Sequence, residues 1–531
     1  MVKIFGMTFG KKPQPSNVVA LAELDSYLPG ASAMIAPTTY NGDKFHGGFG
    51  HTKVLSADYW TLRKRSAELF ASNHYARGMI RRLITNEINI GLTPESSPME
   101  NILGVTEDSL NEWSETVETR FGIWASDPQL CDYKQADTFG ALQRAARIEA
   151  FVTGDALIVL RQSQRTGLPQ VQVISGNAVQ TPYDEQSKIK KGHTVHHGVE
   201  LDPMGRVVAH WVRQADFTFT RIPAYGPKTG RKISWLIYGT DKRLDEVRGQ
   251  PLLSLVLQSL KEIDRYRDSA QRKAVINSIL AMFIKKSQDK PGTLPMTGGA
   301  VRKGAVQTID STAETPRSYN IADQIPGVVM EELQQGEEPV GFHSQGTDVN
   351  FATFETAILQ SIAWANEIPP EILTLSFSSN YSASQAAINE FKAYLSKQWS
   401  IWGDTFCTPI YIDWLISETL QERIKAPELI NAWRDPMQYD IFGAWTAVEW
   451  YGNVKPSMNM RQSAQASQLL VDEGWSTNAR EARGINGTKF SQNIKRLRRE
   501  NELKAEAARP IIEFRRQFGQ SPDEVLQDKD I

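Results

Sequence analysis

"PLLSLVLQSLKEIDRYRDSAQRKAVINSILAMFIKK", residues 251–286, holds no glycine, and no proline after its first residue. Leu253, Val256, Leu260, Ile263, Ala270 and Ala274 keep one apolar stripe at helical spacing. Pro251 suits a first helical turn, where its missing N–H costs nothing. The pattern predicts a helix of about 35 residues, hence roughly 50 Å long at 1.5 Å per residue. That is a strut, longer than a globular core requires. Before its terminal Lys285 and Lys286, the basic residues Lys261, Arg265, Arg267, Arg272 and Lys273 interleave with Glu262, Asp264 and Asp268. Most of these charges read as a solvated or intersubunit face with i,i+4 pairs, leaving one or two free to meet a partner.

Downstream, the helical period disappears over 291–346. There Gly292, Gly298, Gly299, Gly304, Gly327, Gly336 and Gly341 separate strand-like pieces such as "AVQTI" and "GVVMEEL". The period returns at Phe351, Phe354, Ile358 and Ile362, behind a cap at Thr347 or Asp348, and should end before Pro369 and Pro370. "IPPEILTLSFSSNYSASQ" (368–385) follows, a serine-rich loop with no charge after Glu371. Ser382 and Gln385 then have the spacing of a capping box for a third helix running towards Ile424. Pro409 lies within it and predicts a kink near Phe406 to Pro409, because a proline removes one backbone bond and crowds the preceding turn.

Upstream, residues 56–91 read as one helix on Leu69, Ala76, Ile80, Leu83 and Ile84, stopped by Gly91. Helices are expected around Trp113 to Trp124 and Phe139 to Thr153. "GDALIVL", "PQVQVI", "HHGVELD" and "GRVVAHWV" read as strands, with "DPMG" (202–205) turning between the last two. Residues 1–55, rich in Gly, Pro, Ser and Thr, read as an extended or partly disordered arm. The fold class is α+β.

Composition narrows the function. A chain of 531 residues should hold several structural regions. With 23% charged residues and a net charge of −2, any nucleic-acid contact must come from local patches. Cys131 and Cys407 lack the spacing of a disulfide framework or zinc site, which suits a reducing, cytoplasmic origin. The longest apolar run, "ILAMFI" (279–284), falls short of the roughly 20 residues of a membrane helix, and the N-terminus does not read as a signal peptide. "HTVHHGVE" (193–200) gathers three histidines and Glu200, yet alternation along one strand would put His193 and His197 on one face and His196 on the other. "GPKTGRKIS" (226–234) lacks the gap and ending of a phosphate loop, and no nucleophile elbow is found. "KRLRR" (495–499) is balanced by Glu500, Glu502 and Glu506 and reads as a surface helix. No enzyme and no cofactor are expected.

The order of parts resembles the lambda-type portal proteins of tailed bacteriophages. The stretches that carry the resemblance are "RKRSAELFASNHYARGMIRRLITNEINIG", "LQRAARIEAFVTGDALIVL", "HHGVELDPMGRVVAHWV", "VRGQPLLSLVLQSLKEIDRYRDSAQRKA", "IPPEIL" with "NYSASQAAINEF", and "VKPSMNMRQSAQASQLLVDEGWST". Gln385 departs from the pattern, standing where many relatives put an arginine. The resemblance implies a portal fold: an α/β wing at 56–250 behind the arm at 1–55, a first stem helix at 251–285, and a β-containing clip at 286–346. It continues with a second stem helix at 347–370, a tunnel loop at 371–381, a kinked wing helix with its following segment at 382–455, and a helical crown at 456–531. It implies a homo-oligomeric ring, usually a dodecamer, at one capsid vertex of the virion, assembled in the host cytoplasm, with no membrane contact. Double-stranded DNA would pass through the channel. Further implied partners are the terminase large subunit, the major capsid protein and scaffold, and head-tail adaptors.

On that reading Ser376, Phe377, Ser378, Ser379, Asn380 and Tyr381 would face DNA, offering small, replaceable contacts where strong phosphate binding would hold it. Lys261, Arg265, Arg272 and Lys273 are the candidate channel-facing stem residues. Arg302, Lys303, Glu331 and Glu332 are the candidate motor and adaptor docking residues of the clip. Two other classes stay open: a different head-tail connector or adaptor, which is usually a shorter chain, and a metal-dependent enzyme built on the histidines.

Overall fold

Helix formation starts at Tyr59. The periodic stretch 56–91 makes two helices, α1 (Tyr59–Ser72) and α2 (His74–Glu87), where its spacing predicts one. Between them Asn73 is extended, and its side-chain oxygen accepts the Ala76 N–H at 2.8 Å. A local cap thus wins over continuation of the helix. The computed structural model describes residues 2–4, 7–9, 59–182, 189–227, 229–242, 246–279, 283–286, 337–340, 351–375, 381–452, 460–488 and 490–517. They divide into two compact units, Met1–Gln258 with Ser361–Ile531, and Ser259–Gln360. Within the N-terminal arm, β1 (Val2–Ile4) and β2 (Met7–Phe9) pair antiparallel.

In the larger unit β3 (Thr93–Ser96), α3 (Glu107–Ser126) and α4 (Phe139–Thr153) precede the sheets. β4 (Asp155–Gln162) lies between β5 (Pro169–Ser175) and β10 (Ser234–Tyr238), antiparallel to both. A second sheet runs β6 (Thr194–His196), β7 (Val199–Leu201), β8 (Val207–Arg213) and β9 (Phe219–Pro223) in order. Leu157, Val159, Val179, Val212 and Ile222 form the core the two sheets share. Since α4 packs on β4 as well, that strand is buried over most of its length, which explains its run of apolar residues. "HHGVELD" is not one strand: His197, at φ 45°, and Gly198 turn a hairpin between β6 and β7. The alternation expected of the histidines fails there, because the chain reverses among them.

An aromatic cluster completes this core. Phe121 meets Trp124, Phe139, Tyr411 and Trp414 with ring centroids 5.1 to 5.7 Å apart, and Phe406 stacks on Trp402 at 4.9 Å. These rings come from α3, α4 and the broken helix that follows residue 381, so the aromatic contacts join the two halves of the sequence.

The strut is shorter than its sequence period suggests. Helix α5 spans Leu257–Ile279; Leu252–Ser254 form a separate 3-10 turn behind an extended Pro251, and β11 (Phe283–Lys286) pairs with β12 (Glu337–Val340). Phe283 and Ile284 have strand preference that a paired partner realises. The remaining residues of 287–346, with the strand-like pieces read there, lie outside the described residues. Helix α6 (Phe351–Ala365) ends earlier than Pro369 because Glu367 takes φ 54° and Ile368 N–H bonds Ala363 O at 3.0 Å.

A five-residue helix, Pro370–Thr374, follows, so the loop that the sequence starts at 371 is helical to Thr374. Helix α7 (Tyr381–Trp402) begins one residue before Ser382, whose side chain lies outside the described residues, and Gln385 Nε2 bonds forward to Asn389 at 3.3 Å. A π-helical turn, Gly403–Cys407, links α7 to α8 (Thr408–Leu420). Pro409 has no N–H for the Thr405 carbonyl, which instead accepts Trp235 Nε1 at 2.8 Å. The irregularity thus falls where Pro409 predicts it. β13 (Val448–Tyr451) pairs with β3, and α9 (Met460–Asp472), α10 (Asn478–Asn486) and α11 (Phe490–Gln517) end the chain. In α11, Lys495 bonds Glu115 and Arg498 pairs with Glu502, as expected of a balanced surface helix.

Candidate nucleic-acid interface

Three of the basic residues of helix α5 fall on one side. With Lys261 set at 0°, Arg272 falls near 20°, Arg265 near 40° and Asp268 near −20°, at about 100° per residue. All four are exposed. Leu260 and Ile263, near −100° and 200° by the same count, are buried at 1% and 0% exposure. Lys261, Arg265 and Arg272 therefore form an exposed stripe, opposite Ile263 and tempered by Asp268. No ion pair to these three is found among the described residues. Arg267 pairs with Asp264 at 3.1 Å and stays out of the stripe. The Lys273 side chain lies outside the described residues.

The segment leading into α5 is held by a buried ionic centre. Arg248 grips Asp155 with Nε and Nη2, each at 2.7 Å, and donates further bonds to the carbonyls of Val179, Gly176 and His197. Arg63 adds a third contact to Asp155 at 2.8 Å, and the Gly249 N–H a fourth at 2.9 Å. Arg63 also lies 4.3 Å from the Tyr59 ring centroid, so an aromatic face shares its charge. Burial alone would raise the Asp155 pKa, yet the two guanidinium groups override it and hold the carboxylate well below its usual range. Burial, helped by Arg248 and Arg63, pushes His197 down to about 4. Burial with Arg248 pushes His210 down to about 3.

Gly154, at φ +98°, makes the centre possible. A Cβ there would sit 2.5 Å from the Gly249 carbonyl oxygen, so backbone meets backbone at a distance only glycine allows.

The histidines are dispersed. His193 bonds Glu200 at 2.7 Å, while His197 stacks on Tyr59 at a centroid distance of 4.2 Å. Burial would raise the Glu200 pKa, but hydrogen bonds from Arg221, His193 and Trp211 keep it lowered, as a paired structural carboxylate. Among the described residues no group of three or more His, Cys, Asp or Glu is placed to hold a metal.

Of the sequence-predicted site residues, Lys261, Arg265 and Arg272 are exposed on one side of α5, and the Lys273 side chain lies outside the described residues. Tyr381 is the first residue of α7. Ser376, Phe377, Ser378, Ser379 and Asn380, and the clip residues Arg302, Lys303, Glu331 and Glu332, lie outside the described residues. The Asp155 centre was not expected as a site, although "GD" after α4 and "RGQP" before α5 are the local signals that mark it.

The described residues form a mixed helix-and-sheet protein that includes a helix with a cationic stripe. The chain belongs to the lambda family of phage portal proteins, whose family model matches residues 43–398. Among solved structures it is similar to the neck of a native GTA particle computed with C12 symmetry, at 12% identity over 81% of this chain and 94% of that chain, with a TM-score of 0.37. It is also similar to the neck of an empty GTA particle computed with C6 symmetry, at 12% identity over 78% and 92%, with a TM-score of 0.39. A chain of the native gene transfer agent virion matches at 12% identity over 80% and 91%, with a TM-score of 0.38.

Proposed function

We propose that this chain forms the portal ring of a virion, a dodecamer through which double-stranded DNA is packaged and later ejected. The observation that carries the reading is the α5 stripe: three exposed cations on one side of a long helix, opposite Ile263, which is buried near its N-terminal end. Asp268 within the stripe weakens its hold on phosphate, as a surface over which DNA must slide requires. In this reading α5 and α6 are the stem helices, the segment between them is the clip, and the residues between the Pro370–Thr374 helix and α7 form the tunnel loop. Residues 56–250 and the broken helix α7 to α8 form the wing, and α9 to α11 approach the crown. Arg302, Lys303, Glu331 and Glu332 would meet the terminase motor and, after packaging, the head-tail adaptors. Capsid protein and scaffold would hold the ring at its vertex. The energy for translocation would come from the motor, since the sequence of this chain carries no phosphate loop.

Electron microscopy of the purified protein tests this. Rings with a central hole of duplex width are expected, and a population of compact monomers at all protein concentrations would overturn the reading.

A further inference from the structure

A ring needs two different, mutually complementary faces on one chain, because each copy presents one face to the copy ahead and the other to the copy behind. Helices α2 and α3 carry such a pair. On α2, Arg77 and Arg81 are exposed one turn apart, with exposed His74 beside them and half-buried Arg82 next in line. The helix has one carboxylate, Glu87, and that is buried against Arg147 at 2.8 Å. On α3, Asp108, Glu112 and Glu115 are exposed and cluster within roughly 60° of one another around the axis. They lie opposite the buried residues Leu110, Val117, Phe121 and Trp124. Both helices pack on α4 and belong to the larger unit.

Each face works against its own helix. Like charges at i,i+4 destabilise a helix by about 0.2–0.5 kcal/mol per pair, and Arg77–Arg81 and Asp108–Glu112 are two such pairs of opposite sign. Neither pair is explained by the helix dipole throughout: Arg77 stands near the start of α2, the wrong end for a cation, and Glu112 is beyond the first turn of α3. Among the described residues no ion pair reaches Arg77, Arg81, Asp108 or Glu112, whereas Glu115 is bonded by Lys495. Gly78 leaves the face open. It sits inside α2 between the arginines, and none of the described residues comes within 4 Å of where its Cβ would be. A helix-interior glycine leaves a bare strip of backbone that another surface can approach closely.

We infer that the Arg77–Arg81 face of α2 docks on the Asp108–Glu112 face of α3 of a second copy of this chain. The two ladders have the same register, since a four-residue step rises about 6 Å on either helix. The partner is thus identified by charge: the chain itself carries the surface that fits. The inference deepens the ring reading and rests on it.

Charge reversal tests the pairing. R77E/R81E makes both faces acidic and D108K/E112K makes both basic, so each variant alone should lose rings at least about tenfold at low salt, as expected when like charges replace a complementary pair. Mixing the two variants should restore rings, because every contact in an alternating ring is again between opposite charges. G78A should raise the melting temperature of the monomer yet weaken assembly. Rings that form normally from either reversed variant alone would overturn the pairing while leaving the portal reading intact. So would rings of R77E/R81E that assemble normally but retain DNA poorly, which would make α2 a DNA contact. Wild-type protein that stays monomeric at every salt concentration would overturn the ring reading, and the pairing with it.

Discussion

The centre around Asp155 and the stripe on α5 use arginine in opposite ways. Arg248 is 5% exposed, makes two bonds to one carboxylate and three to carbonyls, and cannot move without leaving buried charge behind. Arg265 and Arg272 are exposed and, among the described residues, ion-paired with nothing. A guanidinium that is fully satisfied holds the fold and has no capacity left for a ligand. One that is left in water stabilises the fold little and keeps its charge for a partner. The lesson is that the number of arginines says nothing about DNA binding until their partners are known.

Removing the anion from the buried centre should have the largest effect. Asp155→Ala leaves two buried guanidinium groups against each other and should cost about 3–5 kcal/mol in chemical unfolding, or prevent folding. A loss below about 1 kcal/mol would mean that the arginines find other acceptors and that the two regions differ less than their geometry says. Gly154→Ala should come next, at about 2 kcal/mol from left-handed backbone strain and the clash with Gly249. Unfolding of this variant with unchanged stability would show that the Gly154–Gly249 approach can open freely.

Acid should loosen the buried region and spare the exposed one. His197 and His210 are neutral in the fold, with pKa values lowered to about 4 and about 3 from an ordinary value of 6.5. The unfolded chain therefore binds more protons than the folded one below pH 6.5, and stability falls as pH falls through this range, by up to about tenfold in the folding constant per pH unit for each histidine. The loss from His197 ends near pH 4 and that from His210 near pH 3. Thermal melts from pH 7.5 to 5 should show this slope, and His210→Gln should flatten it; a slope unchanged in that variant would assign the acid sensitivity elsewhere.

The stripe should give the smallest effect on stability. K261A/R265A/R272A should shift unfolding by no more than about 0.5 kcal/mol per residue. It should, however, lower the salt dependence of DNA binding by up to about 0.9 in log–log slope for each phosphate that is no longer neutralised. A large stability loss with an unchanged salt slope would reverse the comparison and make the stripe structural.

Much of the element order was legible in the sequence, because helical and strand periods are local properties. Helix α4, strands β4, β5 and β8, and the irregularity before Pro409 all follow from spacing, strand preference and a missing N–H. The same local rules misjudged boundaries. They ran α1 into α2 across Asn73, stretched α5 over residues that pair as β11, and read a hairpin among the histidines as one strand. Each of these depends on a cap or a strand partner, and a periodicity does not report which competitor wins.

What only the tertiary structure decided is which charges are used up. Residues 63, 155 and 248 are far apart in sequence, and nothing local distinguishes Arg248 from Arg265. Burial separates them: in a medium of low polarity an ion must be paired, so the fold brought two arginines to Asp155, while on the face of α5 water did the pairing and left the stripe free.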